Sequence, residues 1–488
     1  MLFSELLEAA EIRVESRCGD GEITSVQTDS RLCGPGACFV AVRGAEDDGH
    51  RYIRSAVDAG AAAVVCEDPA GTRPAASAVV GRARSVVGPL AQAIRGWPSR
   101  KLTNIAVTGT NGKTTVTYLV RSILRAAGLP AALLGTIEYD TDGKAAPART
   151  TTPGAVALAE MTANALAGGK SHLVMEASSH ALDQDRTAGI DFRAAVFTNL
   201  TGDHLDYHKT MADYLAAKRR LFERLAPDAI AVINRDDPAA DAIAAATRAT
   251  PLWYGLSAAA DLHARIDSID ATGTCFSLAY RGLEVACRTQ LIGRHNVFNC
   301  LAAAGACLGL GVDLETIAQA LADRRSVRGR LERVNVPAPY QVFVDYAHTD
   351  DALRNVLSSL RPITRGRIVL VFGCGGQRDS SKRPRMAKVA EQLADSIFIT
   401  SDNPRQERPE AIIDDILAGL GATGRGKTNV QADRRTAIEL AINDAMPGDL
   451  VLIAGKGHET YQDLGHEKVH FDDVETAGQL VRRREAGK

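Results

Sequence analysis

The sequence predicts an α/β fold divided into three domains. The 488 residues are more than one hydrophobic core usually serves. Short apolar runs alternate with stretches of helical pattern, as they do in parallel sheets covered by helices. The pattern changes near two positions, so we predict a smaller N-terminal α/β domain (1–97), a central parallel-sheet domain (98–327) and a C-terminal domain (328–488).

The composition excludes several classes of protein. Lys and Arg number 57 against 59 Asp and Glu, a balance that argues against nucleic acid as the main partner. No stretch approaches the roughly 18–20 apolar residues that span a bilayer. The nine cysteines form no CxxC pair, and the first residues lack the basic start of a secretion signal. We therefore expect a cytoplasmic protein with no membrane span, acting as a monomer.

Each predicted domain has its own succession of apolar runs. In the first domain the runs 38–42 and 61–66 alternate with Gly-rich turns, and Pro98 in the linker RGWPSRKLT should interrupt any helix. The runs of the central domain are 105–107, 172–175, 194–197 and 229–233, and a helical run covers 116–127. The runs of the third domain, 368–372, 397–400 and 450–454, each lead into a loop rich in Gly, Pro or charge. This pattern is Rossmann-like, and the loops at the carboxyl ends of such strands form the ligand crevice.

A glycine-rich turn, TGTNGKTT at 108–115, lies between the first strand of the central domain and its helix. Glycines let backbone N–H groups face phosphate oxygens, and the helix start adds a favourable dipole. Two residues rather than four separate the first glycine from Gly-Lys, so the spacing departs from the usual phosphate loop. A plain strand–helix turn is the alternative. We predict a P-loop ATPase domain, with ATP contacts at Gly109, Thr110, Asn111, Gly112, Lys113, Thr114 and Thr115.

This turn resembles the ATP loop of the Mur ligase family, the ATP-dependent amide-forming enzymes of peptidoglycan precursor synthesis, with folylpolyglutamate synthetases as relatives. Seven further motifs resemble that family in the same order: TTP (151–153), MEASSHALDQDR (175–186), NLTGDHLDYH (199–208), DYAHTDDAL (345–353), GCGGQRD (373–379), DNPR (402–405) and GKGHE (455–459). The resemblance implies a cytoplasmic ligase of cell-wall synthesis, and hence of cell shape and division.

The motifs imply a particular reaction within the family. They suggest that meso-2,6-diaminopimelate is added to UDP-N-acetylmuramoyl-L-alanyl-D-glutamate through an acyl-phosphate, with ATP as substrate and Mg²⁺ as cofactor. A lysine-adding or other Mur ligase and a folylpolyglutamate synthetase remain alternatives. So does a protein of another class, a binding protein in which ATP is a conformational switch.

Four side chains are expected to carry the chemistry: Lys113, Glu176, His204 and Lys218. By resemblance Thr114, Glu176, His204 and Lys218 hold Mg²⁺, which prefers oxygen ligands. Without the resemblance, Glu176 could be a solvated acid at a helix start, and His204 a loop histidine.

Lys218 lies on the apolar stripe of the helical stretch 211–225, formed by Met211, Tyr214, Leu215, Phe222 and Leu225. A buried lysine either extends its ammonium to water or loses its proton, and the neutral amine can capture CO₂. Family members carry a carbamylated lysine here, so we expect N6-carboxylysine at Lys218.

The remaining substrate contacts follow from the motifs. ATP is also expected to meet Asn296, Asn299, Arg330 and Asp345, and helix capping or surface exposure is the alternative for the two asparagines. The UDP-muramoyl dipeptide is expected to contact Ser30, Ala45, Glu46, Asp47, Thr151, Thr152, Ser178, Gln184 and Arg186. For the N-terminal segment a surface turn is the alternative.

The DNPR loop indicates the incoming amino acid. The guanidinium of Arg405 can grip a carboxylate at two points, which suits an amino acid with a second carboxylate, whereas L-lysine would present an ammonium there. A surface ion pair of Arg405 with Glu407 or Glu410 is the alternative. The predicted diaminopimelate-binding residues are Arg378, Asp402, Asn403, Pro404, Arg405, Gly455 and Glu459.

Overall fold

The computed structural model describes residues 1–44, 47–68, 74–323 and 326–487, and it has the predicted α/β architecture with a separate main sheet in each predicted domain. The domain limits predicted at residues 97 and 327 fall in the stretches of chain between one sheet and the next. They stay predictions. Among the described residues, no helix is long and apolar enough to cross a membrane.

The N-terminal sheet has five strands in the order β1-β5-β4-β3-β2, and only β1 runs antiparallel to its neighbour. Strand β3 ends at Val40, two residues before the end of the predicted apolar run 38–42. The elements are α1 (Phe3–Ala9), β1 (Ser16–Cys18), β2 (Ser25–Gln27), β3 (Ala37–Val40), α2 (Ile53–Asp58), β4 (Ala63–Cys66), β5 (Ser77–Val79) and α3 (Ala83–Ala93).

The chain leaves this region through a sharp turn. Trp97 has left-handed backbone angles, and Pro98 opens a short 3₁₀ turn, Pro98–Lys101. The helix α3 has already ended, which agrees with the break predicted at Pro98.

The central sheet has eleven strands in the order β16-β15-β14-β13-β12-β11-β6-β10-β7-β8-β9. Strands β7, β10, β6, β11, β12, β13 and β14 pair in parallel, and antiparallel strands complete both edges. The first elements are β6 (Thr103–Thr108), α4 (Lys113–Ala126), β7 (Ala131–Leu134), β8 (Glu138–Asp140), β9 (Ala145–Pro147), α5 (Ala155–Ala167), β10 (His172–Glu176), α6 (Ser179–Asp183), β11 (Phe192–Phe197) and α7 (Leu205–His208). The others are α8 (Met211–Glu223), β12 (Ile230–Asn234), α9 (Ala240–Ala244), β13 (Thr250–Gly255), β14 (Leu262–Asp270), β15 (Gly273–Tyr280), β16 (Leu283–Thr289), α10 (Arg294–Gly309) and α11 (Leu314–Asp323).

The central strands contain continuous apolar stretches because helices cover both faces of the sheet. Ile105 and Val107 point into one core, whereas Ala106 of the same strand points into the other. This burial fixes the sheet and places the ends of β6, β10 and β11 side by side.

The C-terminal sheet has the order β17-β18-β22-β19-β20-β21 and is parallel except for β17. A two-stranded hairpin, β23–β24, stands apart from it. The elements are β17 (Glu332–Arg333), β18 (Gln341–Asp345), α12 (Asp350–Leu360), β19 (Ile368–Phe372), α13 (Lys382–Leu393), β20 (Ser396–Ile399), α14 (Pro409–Leu417), α15 (Ala422–Gly426), β21 (Thr428–Val430), α16 (Arg434–Asp444), β22 (Leu450–Ala454), β23 (Tyr461–Asp463), β24 (Lys468–His470) and α17 (Asp473–Ala486).

A glycine lets the first region pack on the second. A Cβ atom added at Gly88 in α3 would lie 1.9 Å from the carbonyl oxygen of Ala188. Backbone atoms on both sides leave little freedom to move, so this contact requires a residue without a side chain.

We expect Gly88→Ala to lower the free energy of unfolding by about 1–3 kcal/mol through overpacking. Urea unfolding followed by circular dichroism measures this change. Gly34→Ala is the control, because nothing lies within 4 Å of a Cβ built at Gly34. Equal midpoints for the two variants would contradict the packing argument.

Candidate active site

The phosphate loop follows β6 and lies against the end of β11. A Cβ atom at Gly109 would lie 1.9 Å from Thr198 Oγ1, and one at Gly112 would lie 2.4 Å from Asn299 Oδ1. Both glycines have positive φ, at 146° and 89°. The loop therefore needs glycine at these two positions for both space and backbone conformation.

Lys113 folds back over the loop. Its ammonium donates to the carbonyl oxygens of Gly109 at 2.9 Å and Thr110 at 2.8 Å. Burial lowers the pKa of this lysine. Because the ammonium lies over the turn, it is placed to meet an anion bound there.

Two side chains of the C-terminal region reach the phosphate loop. Arg330 donates to Thr114 Oγ1 at 3.0 Å. The carboxylate of Asp351 accepts hydrogen bonds from Asn111 Nδ2 at 2.9 Å and Thr201 Oγ1 at 3.1 Å. The central and C-terminal parts of the chain thus meet directly at the turn.

A cavity of about 650 Å³ opens beside this junction. The predicted ATP-binding residues that line it are Asn111, Gly112, Thr115, Asn296, Asn299, Arg330 and Asp345. Asn299 Nδ2 donates to Asn296 Oδ1 at 2.9 Å, and both asparagines are buried, so they are not surface residues. Burial raises the pKa of the Asp345 carboxyl.

Among the other residues that line this cavity, and that were not predicted as ATP contacts, are His295, Tyr346, His348 and Asp351. Tyr346, His348 and Asp351 belong to the motif DYAHTDDAL, which the sequence analysis singles out. The motif does not predict that their side chains line this cavity.

Glu176 is the last residue of β10 and not, as the apolar run suggests, the first residue after it. Its side chain is buried, and its two oxygens accept from Thr136 N at 2.7 Å and Thr136 Oγ1 at 2.9 Å. These donors hold the carboxylate at the edge where the phosphate loop lies.

His204 and Lys218 are the other two predicted chemical residues. Burial lowers the pKa of His204 to about 3, so its imidazole is neutral near pH 7. Lys218 is only 1% exposed, and its Nζ lies 4.1 Å from the centre of the Tyr214 ring. Burial holds the pKa of this lysine well below its usual value. Of the predicted stripe, Tyr214, Phe222 and Leu225 are buried, whereas Met211 is exposed.

The donors in this area fit a magnesium ion better than a softer metal. Thr114 and Glu176 offer oxygens, and a carbamate on Lys218 would add more. Within the described part of the chain, no three His, Cys, Asp or Glu side chains come together as a ready metal site. Such a set fits an ion whose other ligands are ATP oxygens and water.

A second cavity, of about 1270 Å³, lies between the N-terminal and central regions. Four of the predicted muramoyl contacts line it: Ser30, Asp47, Gln184 and Arg186. So do three arginines that the sequence predictions missed: Arg84, Arg95 and Arg149. Ala45 and Glu46 lie outside the described residues.

Three more predicted muramoyl contacts form a short network behind Glu176. Thr152 donates to the carbonyl oxygen of Glu176 at 2.8 Å, and Ser178 N donates to Thr152 Oγ1 at 3.1 Å. Thr151 Oγ1 lies 3.1 Å from Thr136 Oγ1 and donates to it, because the single proton of the Thr136 hydroxyl is directed at Glu176. The network joins the TTP segment to the end of β10.

The DNPR and GCGGQRD loops lie together at the carboxyl end of the third sheet. A Cβ atom at Gly375 would lie 3.1 Å from Arg405 Nη1 and 3.9 Å from Arg378 Cγ. Arg405 Nη1 donates to the carbonyl oxygen of Gly376 at 2.6 Å.

The two neighbouring glutamates are paired elsewhere. Glu407 forms an ion pair with Arg383 at 2.9 Å, and Glu410 lies 3.9 Å from Arg408. Among the described residues, neither Arg378 nor Arg405 has a carboxylate within 4 Å. The surface ion pair considered for Arg405 is therefore not formed.

Three family profiles match successive parts of the chain. They are described as "Mur ligase family, catalytic domain" for residues 22–94, "Mur ligase middle domain" for 107–307 and "Mur ligase, glutamate ligase domain" for 329–457.

Relatives match over nearly the whole length. The UDP-N-acetylmuramoyl-L-alanyl-D-glutamate–2,6-diaminopimelate ligase of Parabacteroides distasonis is 41% identical, with 100% of both chains covered. The ligase of the same name from Trichormus variabilis is 44% identical over 96% of this chain and 95% of its own.

Solved structures show the same fold. A structure of a UDP-N-acetylmuramoyl-L-alanyl-D-glutamate–2,6-diaminopimelate ligase has a TM-score of 0.70 and 32% identity, covering 98% of this chain and 99% of its own. The MurF ligase of Thermotoga maritima in complex with ADP has a TM-score of 0.63 at 17% identity, covering 95% and 98%, and supports the fold alone.

We expect Asp351→Ala to raise the KM for ATP about tenfold, because two donors of the phosphate-loop region lose a charged acceptor. Steady-state phosphate release at varied ATP measures this effect. Asp350→Ala is the matched control, since its carboxylate lies only near Arg385, at 3.6 Å. A KM that rises equally in both variants would contradict a specific role for Asp351.

Proposed function

Because this chain belongs to the Mur ligase family, we propose that it adds meso-2,6-diaminopimelate to UDP-N-acetylmuramoyl-L-alanyl-D-glutamate. It is an ATP-dependent ligase that forms an amide bond, in the synthesis of peptidoglycan precursors. ADP and phosphate are the other products.

The choice of amino acid rests on one observation. Arg378 and Arg405 lie on adjacent loops, and neither guanidinium has a carboxylate partner among the described residues. A ligand carboxylate would satisfy them, and the planar fork of arginine favours two-point binding. Diaminopimelate brings a second carboxylate to this pocket, and L-lysine does not.

The phosphate loop binds the ATP phosphates in this proposal. Lys113 exchanges its two carbonyl acceptors for β- and γ-phosphate oxygens, and backbone N–H groups of the loop complete the cradle. Asn296 and Asn299 lie in the cavity that receives the adenine, and Arg330 and Asp345 are contributed from the third domain. Both domains must be in place before the nucleotide is enclosed.

The reaction has two steps. A carboxylate oxygen of the muramoyl dipeptide attacks the γ-phosphorus, so that an acyl-phosphate forms and ADP leaves. The neutral amine of diaminopimelate then attacks the acyl carbon, phosphate leaves, and the amine loses a proton to give the amide. The residues of the chain contribute mainly by positioning the groups and by stabilising phosphoryl charge.

Mg²⁺ would be held by Thr114, Glu176, His204 and carbamylated Lys218. When bound, it would neutralise charge on the phosphate oxygens. Thr136 orients the buried Glu176 side chain, and the imidazole of His204 is neutral, the form in which histidine binds a metal.

Lys218 is proposed to carry a carbamate. Because burial depresses its pKa, the amine can be neutral, and its nitrogen can bond to CO₂ with release of a proton. The product carries a negative charge where a lysine side chain usually carries a positive one. The positive charge of Lys113 also acts on this position.

The muramoyl nucleotide occupies the cavity between the first two domains in this proposal. Ser30 and Asp47 lie at the N-terminal side, and Gln184 and Arg186 at the central side. Arg84, Arg95 and Arg149 add positive charge, which suits a diphosphate.

Phosphate release with different amino acids tests the function. The protein is incubated with ATP, Mg²⁺ and UDP-N-acetylmuramoyl-L-alanyl-D-glutamate, and with meso-diaminopimelate, L-lysine or neither. We expect strong release with diaminopimelate alone. Equal release with lysine would reject the argument from Arg405, and no release with either amino acid would reject this ligase activity.

We expect Lys218→Ala to lower kcat by at least about a hundredfold while nucleotide binding persists, because a charged group at the phosphates is lost. Formate or acetate should restore part of the activity by replacing the carbamate. Carbon-13 NMR with labelled bicarbonate should show a carbamate in the wild type only. Lys209→Ala is the control, as Lys209 is exposed and donates only to the carbonyl oxygen of Asp206. Full activity without rescue would refute the carbamate.

A further inference from the structure

Lys456 has an unusual position for a lysine. It lies in the GKGHE loop after β22, its side chain is 0% exposed, and it cannot reach water. An ammonium has three N–H donors, and this one has three acceptors. They are Asn403 Oδ1 at 3.2 Å, Glu459 Oε2 at 3.1 Å and the carbonyl oxygen of Tyr461 at 2.5 Å. Its hydrogen-bonding capacity is therefore used within the protein, and no donor remains for a ligand.

The three acceptors lie in two parts of the chain, the DNPR loop and the continuous stretch that leads from the GKGHE loop into the hairpin. Asn403 is in the DNPR loop, Glu459 is in the GKGHE loop, and Tyr461 begins the hairpin β23–β24. Lys456 is thus the point at which these segments join. Burying a charge in this way is unfavourable unless the geometry is well satisfied, so the arrangement resists displacement.

Asn403 and Glu459 are oriented by this contact. Asn403 Oδ1 accepts from Lys456 and from Asp463 N at 2.9 Å, while its Nδ2 donates to Glu459 Oε2 at 2.7 Å. Oε2 of Glu459 is therefore occupied twice. No described residue donates to Oε1, which leaves that oxygen for a ligand ammonium.

Two further hydrogen bonds connect the hairpin to the DNPR loop. Arg405 N donates to the carbonyl oxygen of Asp463 at 3.0 Å, and Gln462 Nε2 donates to that of Asp402 at 2.8 Å. The hairpin begins after residue 457, where the match to the C-terminal family profile ends.

We propose that Lys456 is a positioning residue for the incoming amino acid, because it fixes Asn403, Glu459 and the hairpin β23–β24 in one arrangement. The inference rests on the proposed function, since it concerns the diaminopimelate pocket. Lys456 does not touch the substrate, and it sets the affinity for the amino acid through the groups that do.

The test compares Lys456→Met with the wild type. We expect the KM for diaminopimelate to rise about tenfold or more, because the orientation of two contact residues is lost. The KM values for ATP and for the muramoyl nucleotide should stay within about twofold. A purely structural role would change all three constants together.

Lys427→Met is the matched control. Lys427 also bonds to backbone carbonyls, those of Glu391 at 2.7 Å and Ala394 at 2.5 Å, but it lies at the amino end of β21, away from the pocket. Its loss should leave the KM for diaminopimelate unchanged.

If Lys456→Met does not fold, Lys456→Gln replaces it in the test, since the glutamine side chain keeps a hydrogen-bond donor in the buried space. A selective rise in the KM for diaminopimelate supports the proposal. An unchanged KM, an equal rise in all three constants, or the failure of both variants to fold overturns it. An inactive wild type would instead reject the proposed function, so the two failures are distinguishable.

Discussion

The backbone of the phosphate loop lies so close to the end of β11 and to α10 that side chains are excluded at Gly109 and Gly112. This contact fixes the turn relative to the central sheet and to the helix that carries Asn299. Thr198 Oγ1 donates to the carbonyl oxygen of Asn111 at 2.6 Å, and Asn111 N donates to Asn199 Oδ1 at 2.9 Å. A nucleotide cradle that is held from several sides is already formed before a ligand arrives, which lowers the entropy lost on binding.

The third domain depends on the same turn. Arg330 and Asp351 meet Thr114 and Asn111 there, so the proposed amino-acid pocket has a defined place relative to the phosphate loop. The pocket itself is rigid for a different reason. Two buried cations lie beneath it: Lys456 joins the loops, and Arg434 donates to the carbonyl oxygens of Ser401 and Ala454 and pairs with the buried Asp473.

The buried parallel strands could be predicted from the sequence, because strands covered on both faces contain continuous apolar residues. The run 172–175 is β10 apart from Glu176, and 368–372 is β19. Strands β14 and β16 escaped prediction because exposed and buried residues are mixed along them, without a continuous apolar run. Contacts between domains could not be predicted from local sequence patterns either. Asn111 and Asp351 are 240 residues apart, and no periodicity links them. Lys218 could be found because its helix has a regular stripe, yet Met211 on that stripe is exposed, since the stripe leaves the core at the helix start.

The two carbonyl acceptors of Lys113 affect which anions can bind at the turn. The ammonium already donates to two carbonyl oxygens, so an anion must offer more than these two bonds to replace them. A lone inorganic phosphate gains little by that exchange, whereas a triphosphate presents many oxygens at once and can also meet Arg330 of the C-terminal region. We therefore expect the turn to favour a longer phosphate chain over a small anion.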